Sequence, residues 1–479
     1  MNKNSFYITT TIPYVNADPH IGFALELVQA DTIARYQRLL GWEVFFSTGT
    51  DEHGQKIWET SQKEGKEVQD YVDYYVQKFL DLKKILNFSN DNFVRTTSAE
   101  HIKAAQEFWR LCDTKGDIYK KKYKGLYCVG CEKFLTERDL IDGKCPLHPN
   151  KIPEIVEEEN YFFKLENYKE QLLEYLGGAK TIIPEWRRVE ALDFVQNAME
   201  DFSISRDKKR FSWGIPVPGD KNQVMYVWFD ALVNYISTLG WPNNKETFEK
   251  FWQNGETVQI AGKDMVKFQS VMWQGMLMSA GLLTTNTIVY HGFITGEGGI
   301  KMSKSLGNVI NPSEIVQEYG TDALRYFLLR EISPFEDSPF TIERFKDAYN
   351  AGLANGLGNL VSRIMTMVVN YNIKLSEKDL EMKYFTNPVE DLENFNINKF
   401  INSIWSNIKH LDEYIQKNEP FKKIKINKED AEKDIYYLLY HLYGIVLALE
   451  PLLPETAKKI QQLIKENKKP ERPLFLRRD

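Results

Sequence analysis

Apolar positions follow two different periods over the first fifty residues. Residues 6–12 are rich in β-branched and aromatic side chains, which predicts a buried strand. Apolar residues then recur at helical spacing over residues 24–39, and Gly41 supplies a stop signal. A second strand is expected over residues 43–46. This order predicts a β-α-β unit, which brings its first loop to the carboxyl edge of a parallel sheet.

That loop carries a candidate anion site. It is bounded by Pro13 and Pro19 and ends in His20 and Gly22, directly before the helix. The free amides of a helix N-terminus favour an anion such as a nucleotide phosphate, and His20 lies beside them. A histidine next to a glycine at a helix start more often serves only in capping or packing. The tract alone therefore does not establish a function.

The same patterns divide the rest of the chain. Helices are predicted up to about residue 86 and from a capped start at Ser98, and an interruption with short strands follows. Further strands are expected at residues 119–127, 160–165, 224–229, 258–260 and 288–291, and helices at residues 230–239, 264–278, 312–319 and 322–330. Beyond Phe345 the periodicity is helical throughout. The predicted fold class is α/β, with a doubly wound parallel-sheet (Rossmann-type) domain, an insertion and a C-terminal all-α bundle.

A second candidate tract lies far along the chain. Lys301, Ser303 and Lys304 follow a turn that is rich in glycine at residues 296, 298 and 299. Two lysines on a loop that can close suit a negative charge that develops only briefly. A solvated basic turn is the commoner fate of such a pair.

The cysteines indicate a metal site rather than a disulfide framework. Cys128 and Cys131 form one pair, Cys145 and His148 form another, and each pair is separated by two residues. This spacing predicts one structural Zn²⁺ held by four ligands within the insertion. Cys112, alone in a predicted helix, is expected to be a core residue.

Composition limits the classes of function. The chain has 479 residues and a net charge of -6, with a pI near 5.8. This charge excludes a broad basic face for nucleic acid, so any RNA contact must be local. The N-terminus shows no apolar signal core, and the longest apolar run, residues 435–449, is too short to cross a bilayer. A cytoplasmic protein without a membrane segment is expected.

The two charged tracts together resemble the signatures of class I aminoacyl-tRNA synthetases, and within that family its methionyl members. The resemblance covers essentially the whole chain. It includes four further short motifs in the same order, namely Pro13-Tyr14-Val15-Asn16, Gly49-Thr50-Asp51-Glu52-His53-Gly54-Gln55, Tyr226-Val227-Trp228-Phe229-Asp230-Ala231 and His291-Gly292-Phe293.

The resemblance implies an activity and a set of site residues. A ligase of this family activates methionine with ATP and transfers it to tRNA(Met), with Mg²⁺ accompanying ATP. The implied catalytic residues are His20, Lys301 and Lys304, and the implied ATP-binding residues are His20, Gly22, Lys301, Ser303 and Lys304. Asp51 would hold the methionine ammonium group and Arg206 its carboxylate end. The whole implied methionine-binding set is Ile12, Tyr14, Asp51, Arg206, Trp228, Ala231, Leu232, Tyr235 and His291.

The resemblance also implies a division into domains. The expected parts are residues 1–114 and 221–293 for the two halves of the catalytic domain, 115–220 for the connective insertion with its zinc knuckle, 294–345 for the lysine loop and stem contacts, and 346–479 for anticodon binding. Many relatives carry a further tRNA-binding module after the helical domain, and that module often mediates dimerisation. The chain is expected to lack this module, and a monomer is therefore expected here.

Three positions depart from the family pattern. Phe23 stands where most class I enzymes have a second histidine, and a phenyl ring cannot donate a hydrogen bond to phosphate. Asp412 replaces an expected asparagine, and Phe421 replaces the usual tryptophan. The sequence therefore does not identify the residues that contact the anticodon.

Other functions remain as alternatives. Synthetases for leucine, isoleucine or valine usually carry a large editing insertion, whereas only about a hundred residues separate the two halves here. A synthetase for cysteine would be expected to place a zinc ion on the substrate thiol, whereas the predicted zinc ligands lie inside the insertion. A zinc-dependent nucleic-acid-binding protein without catalysis would leave both phosphate tracts unexplained.

Overall fold

The computed structural model of the chain describes residues 4–128, 133–135, 137, 140–146, 152–210, 212–300, 302, 309–381 and 389–478. The chain divides into two compact units. The first comprises Met1–Pro19, Leu40–Lys83 and Ser89–Tyr290, and the second comprises His20–Leu39, Lys84–Phe88 and His291–Asp479. The finer division into five parts stays a prediction.

Strands and helices alternate in the first half of the chain, and helices dominate the second. The strands are β1 (Ser5–Thr9), β2 (Glu43–Thr50), β3 (Asn92–Arg95), β4 (Ile118–Cys128), β5 (Lys133–Leu135), β6 (Glu154–Phe163), β7 (Ile182–Ile183), β8 (Phe202–Ser203), β9 (Ser205–Asp207), β10 (Pro216–Val217), β11 (Asp220–Met225), β12 (Glu256–Gly262), β13 (Thr287–His291), β14 (Ile294–Thr295) and β15 (Ser338–Pro339). The helices are α1 (Ile21–Leu39), α2 (Gln55–Lys63), α3 (Val68–Leu86), α4 (Ala99–Thr114), α5 (Lys169–Leu176), α6 (Glu185–Asn197), α7 (Val227–Leu232), α8 (Asn234–Ser237), α9 (Lys245–Phe248), α10 (Trp273–Ser279), α11 (Pro312–Tyr319), α12 (Thr321–Arg330), α13 (Ile342–Ala348), α14 (Asn359–Tyr371), α15 (Glu377–Leu380), α16 (Val389–Glu393), α17 (Ile397–Asn418), α18 (Pro420–Lys423), α19 (Lys428–Leu449) and α20 (Pro454–Glu466).

The first unit is built on a six-stranded sheet with the strand order β3-β2-β1-β12-β13-β7. The pairings of β1 with β2, of β1 with β12 and of β2 with β3 are parallel. Strand β13 is buried along its whole length, as is usual for a parallel sheet covered on both faces. From β1 the strands β2 and β3 follow toward one edge of the sheet, and from β12 the strands β13 and β7 follow toward the other edge. In doubly wound sheets, the crevice at the carboxyl ends of two such strands is where ligands bind.

Several predicted elements are confirmed. Helix α4 begins at the predicted cap, since the side chain of Ser98 accepts a hydrogen bond from the backbone N–H of His101. Helices α11 and α12 match the two predicted helices that follow the lysine tract. The apolar run of residues 435–449 lies in α19 and contributes buried side chains, as expected. No helix in the described residues has both the length and the apolar character needed to cross a bilayer.

The strand predicted over residues 224–229 is wrong in extent and in partner. Strand β11 ends at Met225, and helix α7 begins at Val227. Strand β11 also pairs antiparallel with β9 and β10 in a separate three-stranded sheet, instead of continuing the parallel sheet. A short apolar run fits a strand and a buried helix equally well, so its period could not decide between them.

Two strands of the parallel sheet had no prediction. Strand β3 lies between two predicted helices, and β7 lies inside the stretch expected to be an insertion. Strand β7 pairs with β13 through only two residues, Ile182 and Ile183. A strand of two residues is too short to show an alternating pattern, so only its tertiary pairing identifies it.

The second unit holds α1 together with the helices of the C-terminal half. Arg325 of α12 is fully buried, and its Nη1 lies 2.7 Å from a carboxylate oxygen of Asp31 in α1. The same guanidinium donates to the carbonyl oxygens of Leu86, Pro451 and Leu452. A buried charge with this many partners ties separate segments together, because removing one partner would strand the others. Helix α1 is thereby fixed to α12 and to the turn before α20.

Candidate active site

Two segments that follow β1 and β2 pair with each other. The backbone N–H of Asp51 donates to the carbonyl oxygen of Pro13 at 2.9 Å, and that of Val15 donates to Asp51 at 3.3 Å. Tyr14 and Asp51 are therefore direct neighbours in a parallel bridge. Asp51 is buried, whereas Tyr14 and the nearby Ile12 are half-buried. The fold thus brings Tyr14 and Asp51 together beyond the carboxyl ends of adjacent strands, where a ligand was expected.

Glu52 fixes the same loop. Its carboxylate is fully buried and accepts hydrogen bonds from Nε and Nη2 of Arg95, both at 2.9 Å, and from Oγ1 of Thr97 at 2.5 Å. Its carbonyl oxygen accepts a hydrogen bond from Nε1 of Trp213 at 2.6 Å. Charge-assisted bonds of this kind are among the strongest that a protein forms. They hold the backbone next to Asp51 in place.

Three of the predicted methionine-binding residues lie on one short helix, α7. Trp228 stacks on Phe268, with ring centroids 4.0 Å apart and planes inclined by 18°. Trp228 is half-buried, and Ala231 and Leu232 are buried. An aromatic and apolar surface of this kind suits a thioether, because sulfur packs well against aromatic rings.

Arg206 supports the start of that helix. Its guanidinium lies over the ring of Tyr226, the residue before α7, at 4.0 Å from the ring centroid. Its Nη1 also donates to Oγ of Ser203 at 2.8 Å and to the carbonyl oxygen of Ser205 at 2.7 Å. Arg206 is 1% exposed. Its predicted contact with a substrate carboxylate stays a prediction.

Tyr235 lies in the core, 2% exposed, on helix α8. Its hydroxyl oxygen accepts a hydrogen bond from the side-chain amide of Gln269. Its carbonyl oxygen accepts one from the hydroxyl of Tyr7 in β1 at 2.7 Å. The structure therefore connects Tyr235 directly to the central strand of the sheet.

Asp230, in the middle of α7, had no predicted role. Its Oδ2 lies 2.7 Å from Nδ1 of His53, and its Oδ1 lies 3.0 Å from Nε2 of His101. Burial raises the pKa of Asp230, but the charge of His53 and the hydrogen bonds of both histidines outweigh it, so the pKa lies below its usual range. The available signal was a carboxylate within the apolar run of α7, since buried charges need partners.

In the second unit, His20 is the N-cap residue of α1. Its carbonyl oxygen accepts the backbone N–H groups of Phe23 at 3.0 Å and Ala24 at 3.2 Å, and its Nδ1 accepts that of Gly22 at 3.1 Å. A Cβ at position 22 would stand 3.0 Å from the imidazole ring. Gly22 therefore leaves room for this histidine at the helix start. The His20 side chain is exposed, which suits a ligand contact as well as a cap.

Phe23 differs from its neighbour His20 in exposure. Phe23 is only 9% exposed, so its ring belongs to the buried surface of α1. The position contributes no hydrogen-bond donor from its side chain. The structure therefore gives Phe23 a packing role.

His291, at the end of β13, pairs with a residue that the sequence did not single out. Its Nε2 lies 2.9 Å from Oε2 of Glu26 in α1, and its Nδ1 lies 2.7 Å from the carbonyl oxygen of Gly292. Both ring nitrogens of His291 therefore lie within hydrogen-bond distance of an oxygen atom. Glu26 thus fixes the orientation of His291.

The lysine tract lies almost entirely outside the described residues. These exclude Lys301, Ser303 and Lys304, while the preceding turn is described. Gly298 and Gly299 have φ values of 66° and 78°, which confirms the predicted glycine turn, since only glycine adopts such angles readily.

Half of the predicted zinc site is described. Cys128 ends β4, and both it and Cys145 are 1% exposed in a small cluster with Leu135. Cys131 and His148 lie outside the described residues. Within the described ranges, no group of three or more metal-ligating side chains gathers, and the zinc site stays a prediction.

Comparison with known proteins gives consistent matches over most of the chain. A family model described as tRNA synthetases class I (M) matches residues 6–152 and 148–365. The Methionine--tRNA ligase of Thermotoga maritima is 38% identical over 483 residues, which span 97% of this chain and 76% of that protein. The Methionine--tRNA ligase of a Nostoc species is 38% identical over 480 residues, which span 96% of this chain and 90% of that protein.

Solved structures show the same similarity. Mycobacterium tuberculosis methionyl-tRNA synthetase in complex with methionyl-adenylate has a TM-score of 0.89 and 34% sequence identity, over 96% of this chain and 94% of that one. The free state of the M. tuberculosis protein has a TM-score of 0.84 at 29% identity, over 100% and 99% of the two chains.

Proposed function

The chain belongs to the class I tRNA synthetases of the methionine-tRNA ligase family, and from that premise we propose how its own residues perform the reaction. The activity is ATP-dependent: methionine is converted to methionyl-adenylate with release of pyrophosphate and is then transferred to the 3' end of tRNA. The observation that carries this conclusion is an identity of 38% that extends over 97% of the chain.

The first unit supplies the residues proposed for methionine. Asp51 offers a buried carboxylate for the ammonium group, and the backbone pairing with Pro13 and Val15 fixes its position. Trp228 offers an aromatic face for the thioether. Ile12, Tyr14, Ala231, Leu232 and Tyr235 complete the proposed apolar surface, and Arg206 is proposed for the carboxylate end. His291, held by Glu26, is the proposed methionine-binding residue of the second unit.

The second unit supplies the residues proposed for ATP. The carboxylate of methionine attacks the α-phosphate, and negative charge builds up on the transferring and leaving phosphates. His20 and the positive end of the α1 dipole are proposed to stabilise this charge, since a helix N-terminus favours anions. Gly22 gives the ring its room, and Lys301, Ser303 and Lys304 are proposed to add donors as their loop closes. Mg²⁺ bound to ATP would neutralise part of the triphosphate charge.

The helical part of the second unit is proposed to bind the anticodon of tRNA(Met). Its described helices from α14 to α20 include the basic segment of α18 with Lys422 and Lys423. Basic side chains at one place are what local contact with phosphate needs in a protein of net negative charge. A monomer in the cytoplasm is proposed as the working form.

One structural Zn²⁺ is proposed for the insertion. Cys128 and Cys145 are buried in the same small cluster, which fits two thiolate ligands of one ion, with Cys131 and His148 as the other two. Four protein ligands leave no open position, so such an ion stabilises the fold and takes no part in the chemistry.

We expect the purified protein to contain about one zinc ion per chain, as the four-ligand spacing implies. Cys128→Ser and Cys145→Ser should each lower that content strongly, as measured by atomic emission. Cys112→Ser is the matched control, since Cys112 is equally buried but lies in the main core of the first unit. Full zinc content in Cys128→Ser would contradict the proposed site.

The reaction is tested by exchange of pyrophosphate into ATP, with each amino acid offered in turn. Exchange is expected with methionine alone, because the proposed pocket is apolar and carries an aromatic face for sulfur. Lys304→Ala should reduce the exchange sharply. Exchange with leucine, or with no amino acid, would refute the proposed substrate.

A further inference from the structure

Four buried side chains of the first unit form one hydrogen-bonded chain. It runs from Ser237 through His101 and Asp230 to His53, with distances of 2.8, 3.0 and 2.7 Å. All four residues are less than 9% exposed, and Asp230 is 0% exposed.

The protons of this chain can be assigned from its single ionised acceptor. A carboxylate only accepts hydrogen bonds, so His53 donates from Nδ1 and His101 donates from Nε2. Nδ1 of His101 is hydrogen-bonded to the hydroxyl of Ser237. Asp230 thereby fixes which ring nitrogen of each histidine carries an N–H toward the carboxylate. Its lowered pKa agrees with a carboxylate that stays ionised.

This series of hydrogen bonds joins two segments that have little regular structure of their own. His53 lies two residues after Asp51, in the loop between β2 and α2. Asp230 lies two residues after Trp228 and one before Ala231, on a helix of only six residues. A helix this short is not stable alone and needs tertiary contacts to define its position.

We propose that Asp230 is a positioning residue for methionine binding, which acts through His53 and His101 to hold the Asp51 loop and the Trp228 helix in register. This inference rests on the proposed assignment of Asp51 and Trp228 to methionine. His101, on α4, anchors the same carboxylate to a long helix of 16 residues. Through Asp230, the loop and the short helix are therefore both attached to one rigid helix, α4.

The first test is Asp230→Asn. The asparagine amide has an oxygen on one side and an NH₂ group on the other. The NH₂ group would face the N–H of one histidine, so that histidine must take its other tautomer and accept the hydrogen bond. The KM for methionine should rise by about 10- to 100-fold, because the charge-assisted hydrogen bonds to the Asp230 carboxylate are lost. The kcat and the KM for ATP should stay close to the wild-type values, because ATP contacts are proposed for other residues.

A matched control separates positioning from general destabilisation. Asp117 is another buried carboxylate of the first unit, and it accepts hydrogen bonds from Ser279 at 2.8 Å, from Asn167 at 3.0 Å and from Tyr168. Asp117→Asn should lower the melting temperature without changing the KM for methionine. An equal rise in KM for both variants would overturn the inference.

A second pair of variants keeps the inference testable if Asp230→Asn does not fold. His53→Asn retains an N–H near the Nδ1 position, whereas His53→Ala retains none. The Asn variant should keep the KM for methionine within about threefold, and the Ala variant should raise it about tenfold or more. Equal KM values for the two variants would contradict a role through this hydrogen bond.

Trp228→Ala distinguishes failure of the inference from failure of the site assignment. It should raise the KM for methionine by removing the stacked aromatic face. If Trp228→Ala has this effect and Asp230→Asn does not, the positioning role is wrong. If neither variant changes the KM, the assignment of Trp228 to methionine is wrong, and the inference falls with it.

Discussion

Replacing His20 by alanine is expected to lower the rate of methionyl-adenylate formation by about 10²- to 10³-fold, which is typical for the loss of one donor to a charged transition state. His20 stands at the N-terminus of α1, where its exposed ring lies beside the positive end of the helix dipole. Single-turnover formation of the adenylate, with both substrates saturating, measures this step without interference from product release.

The control for this experiment separates the ring from the cap. His20→Ala also removes the hydrogen bond to the backbone N–H of Gly22, which costs about 1 kcal/mol of stability. His20→Asn replaces that cap with a side-chain oxygen but has no imidazole. Its melting temperature should stay near that of the wild type, while its rate should fall as far as that of His20→Ala. Near-wild-type activity in His20→Asn would show that the histidine only caps the helix.

Asp51→Asn is expected to lower kcat/KM for methionine by about 100-fold or more, because a buried hydrogen-bonded charge pair loses one partner. The backbone of Asp51 would keep its bonds to Pro13 and Val15, so the loop itself should stay in place. The KM for ATP should change little. Pyrophosphate exchange at varied methionine concentration gives these values.

Two comparisons sharpen this second prediction. Asp18→Asn removes an exposed carboxylate that pairs with Lys78, and it should leave activity unchanged, since exposed ion pairs contribute little. A methionine analogue without the α-ammonium group should bind wild type and Asp51→Asn equally weakly, because the variant has then lost nothing further. Much tighter binding of that analogue to the wild type than to Asp51→Asn would show that Asp51 does not contact the ammonium group.

Local signals in the sequence were sufficient for many elements. The run of residues 6–12 predicted β1, although the strand ends at Thr9, before the proline-bounded loop begins. The capping serine at position 98 and the glycines near position 298 predict the observed helix start and turn, because caps and turns depend on neighbouring residues. The motifs identified the family in the same way, since each is a short run with its own chemistry.

The site was only partly predictable. Tyr14 and Asp51 come together because β1 and β2 are adjacent parallel strands, and the β-α-β pattern already implied that adjacency. The extent of α7 was not predicted, since the apolar residues before Asp230 fit a strand as well as a helix. Its neighbour β11 required knowledge of the antiparallel partners β9 and β10.

The sequence by itself determined much of the order of strands and helices, the two charged tracts and the cysteine pairs, because all of these depend on residues close together in the chain. Only the tertiary structure decided which distant charges meet. Asp230 joins His53 across 177 positions and His101 across 129, and His291 meets Glu26 across 265. Periodicity carries no information on such pairings, since they depend on how strands and helices pack. A buried carboxylate shows in the sequence that a partner is needed, and the fold selects the partner.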